Sequence, residues 1–258
     1  MIRRAAAMLL VMAALSGNFL DEARKEPAPA AVVCVLDAGF SMPDVDYLPE
    51  RKATAEEIEH GDMVCAILRE NAPDARIYML RCLYEGIGED EAHCVAQAIY
   101  DAVDVYDADV VNISWTLNRP DEDLYDAICY AHEQGVIIVA SAGNLSLQTP
   151  LGSAVYPAAW DEVIGVGGVD VDESDAPVSS LWYLQSEAVF VCADGRSGDR
   201  KGSSFAAPRV SAWIANQFSI ADKPTDAQIR ERLKAAVIDA GDEGYDVVFG
   251  WGYLDMKK

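Results

Sequence analysis

Basic residues are scarce in this chain of 258 residues: 20 lysines and arginines face 43 acidic residues, giving a formal charge of −23. Such a surface repels phosphate backbones and anionic membranes over a Debye length or more, so no nucleic-acid partner is expected. Histidine is scarcer still. The three histidines lie far apart and none of the six cysteines forms a CxxC pair, so neither a zinc site nor any other metal or cofactor is expected. Long apolar runs are also missing, apart from one at the start. There Arg3 and Arg4 precede an uncharged stretch from Ala5 to Leu15, followed by Ser16 and Gly17. This is the pattern of a secretory signal over residues 1–17, too short to span a membrane comfortably, and it predicts a secreted, extracellular protein with no stable membrane insertion after cleavage. No cysteine follows Gly17, so lipid attachment there is not expected. Residues 18–30, ending in "PAPA", read as a linker. The chain has no internal repeat and no later interdomain linker, so residues 31–258 read as one domain, with 51% hydrophobic residues to build its core.

The cysteines are compatible with an oxidising compartment without requiring one. Cys34, Cys129 and Cys192 sit in apolar runs that suit buried thiols, while Cys82 and Cys94 flank a polar loop and form the best disulfide candidate. Connectivity stays open.

Short runs rich in β-branched residues recur at 31–36, 76–80, 109–114, 136–141 and 163–168. Being apolar throughout, they suit strands buried on both faces. Between them, segments such as 90–106 and 121–134 carry apolar residues at helical spacing, with Ala96, Ile99, Val103 and Tyr106 on one stripe. The alternation predicts an α/β fold of three layers: a mainly parallel central sheet covered by helices on both faces. In that architecture chemistry collects at the carboxyl ends of the strands. Asp37 ends the first run, His60 is expected at the N-terminus of the following helix, and Gly61 beside it permits close approach. Asn144 follows Gly143 after the fourth run, and Gly202-Ser203-Ser204 opens an apolar helix. Each has an ordinary reading as a turn, a surface or a capping residue. "GVGGVD" at 165–170 lacks the spacing of a dinucleotide-binding turn and reads as strand-end packing.

Taken together, these segments resemble the subtilisin-like serine proteases, the subtilases, in motif and in order. "VCVLDAG" is similar to the family's aspartate motif, "HGDMVCA" to its histidine motif, "SAGN" to its oxyanion segment and "GSSFAAP" to its serine motif, over roughly residues 31 to 255. The resemblance implies a serine endopeptidase acting on peptide or protein substrates as a monomer. In it Ser204 is the nucleophile, His60 the general base and Asp37 the group that orients the imidazole. Asn144 holds the oxyanion together with the Ser204 N–H. Ser203 stands at the usual threonine, and Pro208 is expected near the first turn of the serine helix. Ser114, Trp115 and Thr116 match the segment lining the primary specificity pocket, with Gly143 beside them and Val155 near its floor. Thr116 and Val155 narrow that pocket toward small or medium apolar side chains. The acidic loop at 85–92, with Glu89, Asp90 and Glu91, matches the opposite substrate-pairing edge, as a solvated turn or as a site for basic residues further upstream.

The departures matter too. Ala38 replaces a serine or threonine that supports the aspartate, and Asp62 places a negative charge beside His60. The long loop that binds calcium in many subtilases is missing after the histidine helix, so no calcium is expected there. There is also no room before Ala31 for the usual inhibitory prodomain, so folding is expected to proceed unaided or with help in trans. Two other readings follow from these departures: a catalytically silent subtilase fold that binds peptides or a partner, and a maturation protease of narrow specificity.

Overall fold

The computed structural model describes residues 31–83, 90–174, 176–219 and 222–257. The signal-like segment, the linker and residues 84–89 of the acidic loop therefore lie outside the described residues, as do the side chains of Asp90 and Glu91.

The β-branched runs form the strands expected of them: β1 (Val32–Asp37), β3 (Arg76–Arg81), β4 (Val110–Ile113), β5 (Ile137–Ser141) and β6 (Val163–Val171). A short β2 (Val45–Asp46) pairs with β3 at one edge, and β7 (Pro177–Val178) and β8 (Val191–Asp194) flank β6 at the other. The order is β2-β3-β1-β4-β5-β6, with every pairing parallel except that of β6 with β7. Parallel strands need crossovers, and helices supply them. Alternation along each strand then sorts the core into two layers. Cys34 and Leu36 of β1 face helices α2 (Asp90–Asp104) and α3 (Glu122–Glu133), together with Val111, Ile113, Ile138 and Ala140. Val33 and Val35 face the other way, with Val110, Ile137 and Val139, against α1 (Ala55–Asn71), α4 (Ser203–Ala215) and α5 (Asp226–Ala236). A hairpin of β9 (Arg196–Ser197) and β10 (Arg200–Lys201) leads directly into α4.

The structure differs from the sequence reading at three points. α1 begins at Ala55, so His60 lies in its second turn and not at its start. The cause is a capping box: the Thr54 side chain accepts from Glu57 N, and the Glu57 carboxylate accepts from Thr54 N at 2.7 Å. Pro208 is the sixth residue of α4, not a first-turn proline, because the helix starts straight after the extended Gly202. The glycines of "GVGGVD" lie inside β6 rather than at its end; a Cβ on Gly168 would meet the Tyr183 ring at 2.3 Å.

Among the described residues no helix is long and apolar enough to cross a membrane. Cys34, Cys65, Cys129 and Cys192 are thiols. Burial pushes the Cys34 and Cys65 thiols up to about 12 and raises that of Cys192 as well.

Candidate active site

β1 delivers Asp37 to the carboxyl edge of the sheet, 2% exposed. α1 crosses that edge and presents His60. The two elements approach closely because neither has a side chain at the crossing: a Cβ on Gly61 would lie 1.9 Å from the Gly39 carbonyl oxygen and 3.0 Å from the Phe40 ring. The approach brings His60 Nδ1 to 2.9 Å from Asp37 Oδ1. An ionised carboxylate only accepts, so Nδ1 carries the proton and Nε2 keeps its lone pair. Asp37 Oδ1 also accepts from Ala38 N at 2.7 Å, whereas Oδ2 is buried with no hydrogen-bond partner among the described residues. The Asp62 carboxylate accepts from the N–H and hydroxyl of Ser41, tying down the loop that follows Asp37.

Both ends of the Asp37–His60 pair are braced by a buried arginine. Arg81, which pairs with Asp37 across β1 and β3, donates to the Ala38 carbonyl at 3.0 Å, to both oxygens of Asp46, and to the carbonyls of Leu48 and Arg51. Arg51 in turn donates to Glu57 at 2.8 Å, the capping residue of the helix that carries His60. Nothing in the sequence reading singled out Arg81, whose role depends on contacts 30 or more residues away.

The two adjacent serines separate cleanly. Ser203 is fully buried, with its hydroxyl 2.9 Å from that of Ser141 at the end of β5. Its N–H donates to Asn144 Oδ1 at 3.0 Å. A backbone N–H can only donate, so the Asn144 amide oxygen must face it and the NH2 is turned outward. Ser204 is half-buried. Its N–H belongs to the first turn of α4 and has no intrahelical partner; its hydroxyl donates to the Ser114 carbonyl at 3.1 Å. Gly143, at φ 92°, makes the turn that sets Asn144 in place.

His60, Asn144 and Ser204 line one cavity of 550 Å³, and the His60 ring lies 5.4 Å from that of Phe205. Its far wall is built by Trp182, Asp199, Arg200, Lys201 and Glu56, which the sequence reading missed. Arg200 is ion-paired with Glu56 at 3.2 Å and Glu59 at 2.5 Å, joining the hairpin before Ser204 to the helix bearing His60. The residues expected to line a specificity pocket are not part of that cavity's lining. Ser114, Trp115 and Thr116 follow β4, a backbone bridge joins Leu117 to Tyr156, and the Val155 methyls lie 3.4 and 3.6 Å from where a Gly143 side chain would start. The arrangement has what acyl transfer requires: an ordered carboxylate–imidazole pair, a hydroxyl at a helix start and an outward-facing amide donor.

The model of the subtilase family matches residues 29–252. Among curated proteins, the minor extracellular protease Epr of Bacillus subtilis is 27% identical over 87% of this chain, and subtilisin E of the same organism is 26% identical over 87%. The aligned stretch spans 38% of Epr and 64% of subtilisin E, so the chain corresponds to less than two thirds of either relative. Among solved structures, a lanthipeptide protease superposes with a TM-score of 0.72 at 20% identity, over 89% of this chain and 86% of that one, which establishes the likeness of fold.

Proposed function

The chain belongs to the subtilase family, and from that premise we propose that it is a serine endopeptidase that hydrolyses peptide bonds through an acyl-enzyme on Ser204. His60 Nε2 takes the Ser204 proton as Oγ attacks the scissile carbonyl, then gives it to the leaving amine; a water deprotonated by the same nitrogen releases the acyl group. Asp37 fixes the imidazole tautomer and stabilises the imidazolium. The oxyanion is received by the Asn144 NH2 and the Ser204 N–H, both already oriented before substrate arrives. The observation that carries the reading is the 2.9 Å contact of His60 Nδ1 with buried Asp37, on an imidazole that shares a cavity with Ser204 and Asn144.

The residue before the cleaved bond lies against Ser114, Trp115, Thr116 and Gly143, over Val155. The Val155 methyls beside Gly143 favour small or medium apolar side chains at that position. The protein acts outside the cell as a monomeric catalytic domain, residues 31–258, in keeping with the signal-like N-terminus and the extracellular relative. Labelling of the purified protein with a fluorophosphonate probe, read by intact mass, tests the chemistry. One adduct is expected on the wild type, none on S204A, and strongly slowed labelling on H60A; a well-folded wild type that stays unlabelled refutes the reading and returns the chain to the catalytically silent binding proteins.

A further inference from the structure

α4 contains a buried proline, and its cost falls on a single atom. In a regular helix the N–H of residue 208 donates to the carbonyl of residue 204. Pro208 has no N–H, so the Ser204 carbonyl loses its helical partner at the peptide that carries the serine. In a half-buried residue such a carbonyl is left to find a substitute. It finds one across the sheet: Ser114 Oγ donates to Ser204 O at 2.9 Å.

The direction of every proton in this contact is forced. Asn112 is fully buried on β4, and its Nδ2 lies 3.1 Å from Ser114 Oγ. An amide nitrogen only donates, so Ser114 Oγ accepts there and its own proton is committed to Ser204 O. Asn112 is itself held the right way round from the other end: the Ser204 carbonyl can only accept, so it takes the single Ser114 proton, the Asn112 NH2 must face Ser114, and its Oδ1 is left to accept at 2.9 Å from Ser211 Oγ on the same helix as Pro208. The relay leaves α4 at Ser211, crosses β4 through Asn112 and Ser114, and returns to α4 at Ser204. Ser114 answers in both senses, since its carbonyl also receives the Ser204 hydroxyl at 3.1 Å.

We infer that Ser114 is a positioning residue: its hydroxyl replaces the helical hydrogen bond that Pro208 deletes, and so fixes the Ser204 peptide against the end of β4. The inference rests on Ser204 being the nucleophile, and it assigns to the Ser114 side chain a task separate from lining the substrate groove. It also explains why a helix-breaking residue is tolerated four residues after the reacting serine.

A double-mutant cycle between Ser114 and Pro208 tests it, read both by fluorophosphonate labelling rate and by unfolding midpoint. S114A alone is expected to slow labelling about 10-fold, because the Ser204 peptide is no longer held in place. In the P208A background residue 208 regains its N–H, and S114A is expected to cost no more than about 3-fold there, because the carbonyl recovers a helical donor. The fall in unfolding midpoint should shrink in parallel, and S114A folding only in the P208A background is the same result in stronger form. Equal losses in both backgrounds, failure to fold in both, or no loss on S114A alone overturns the inference. The unfolding arm needs no activity, so a coupled midpoint in a protein that never labels would keep the Ser114–Ser204 contact and remove Ser204 as nucleophile.

Discussion

Gly61→Ala is the most direct test of how the fold sets the distance between Asp37 and His60. The new Cβ would lie 1.9 Å from the Gly39 carbonyl oxygen, and contacts under 3.0 Å are essentially never seen. α1 and the loop after β1 must therefore part by about 1 Å, and the obstacle is a main-chain atom that no rotamer change can move. Gly39 is packed on the same helix one turn earlier, its own Cβ position lying 2.8 Å from the backbone of Glu57 and Ile58, so the two segments touch at both glycines. A displacement of that size lengthens the 2.9 Å His60–Asp37 contact beyond hydrogen-bonding range. Misplacing a catalytic group by about 1 Å costs on the order of 100-fold in rate, while overpacking costs about 1–3 kcal/mol in stability. The assay is the labelling rate beside the unfolding midpoint. Gly135→Ala is the control: Gly135 has φ 85° with nothing within 4 Å of a Cβ, so the change strains the backbone on the opposite edge of the sheet without touching the site. G61A and G135A should both lose stability, but only G61A should lose about 100-fold in labelling. A G61A protein that labels as fast as G135A would refute the close-approach argument.

Three further outcomes follow from the same geometry. Asn144→Ala removes the outward NH2 and should lower kcat about 100- to 1000-fold with little change in KM; an equal effect on both would mean that Asn144 holds the ground state. Ala38→Ser adds a hydroxyl next to Asp37 in the chain; if that hydroxyl reaches the unpartnered Oδ2 it should raise stability by about 1 kcal/mol in denaturant titration, and an unchanged midpoint would mean that it does not reach that oxygen. Because burial holds the Cys34 and Cys65 thiols near 12 in the folded protein against 9.0 in the open chain, the folded state keeps protons that the unfolded state gives up. Their contribution is therefore intact below pH 9.0 and lost as pH rises from there toward about 12. Unfolding midpoints should fall across that window, and iodoacetamide at neutral pH should modify neither thiol until the protein unfolds.

The five parallel strands β1, β3, β4, β5 and β6 were legible because each is a short apolar run, and a sheet buried on both faces admits little else, whereas β8, only four residues long, and the two-residue strands gave no such run. Asp37, Asn144 and Ser204 stood out only together, because each lies at or close to the end of such an element and the four segments in order resemble the subtilase motifs; singly, each reads as a turn or capping residue. The start of α1 was not. Ahead of Val64 the helix offers only Ile58 and Met63 among charged residues, so no apolar stripe marks its first turns; the Thr54–Glu57 capping box was the available signal. The cavity wall was hidden for a different reason. Arg200 meets Glu56 and Glu59 across more than 140 residues of sequence, and Arg81 reaches back 30 or more to its partners. Such pairs leave no periodicity to read, although "RK" just before Gly202 placed two cations beside the serine helix.

Those long-range pairs also account for how an acidic chain keeps its site in register. Arg81 and Arg51 tie the Asp37 loop to the helix of His60, and Arg200 ties that same helix to the hairpin preceding Ser204. The first brace is buried at Arg81 and hydrogen-bonded to backbone carbonyls as well as to carboxylates, so added salt should leave it in place. The second is exposed to solvent, and pairs of that kind weaken with ionic strength. Raising salt should therefore slow labelling of the wild type no more than about 10-fold, and R200A should begin slow and lose that dependence. Retention of the full salt dependence in R200A would place the screened interaction elsewhere, and the second brace would then have no part in setting the distance between His60 and Ser204.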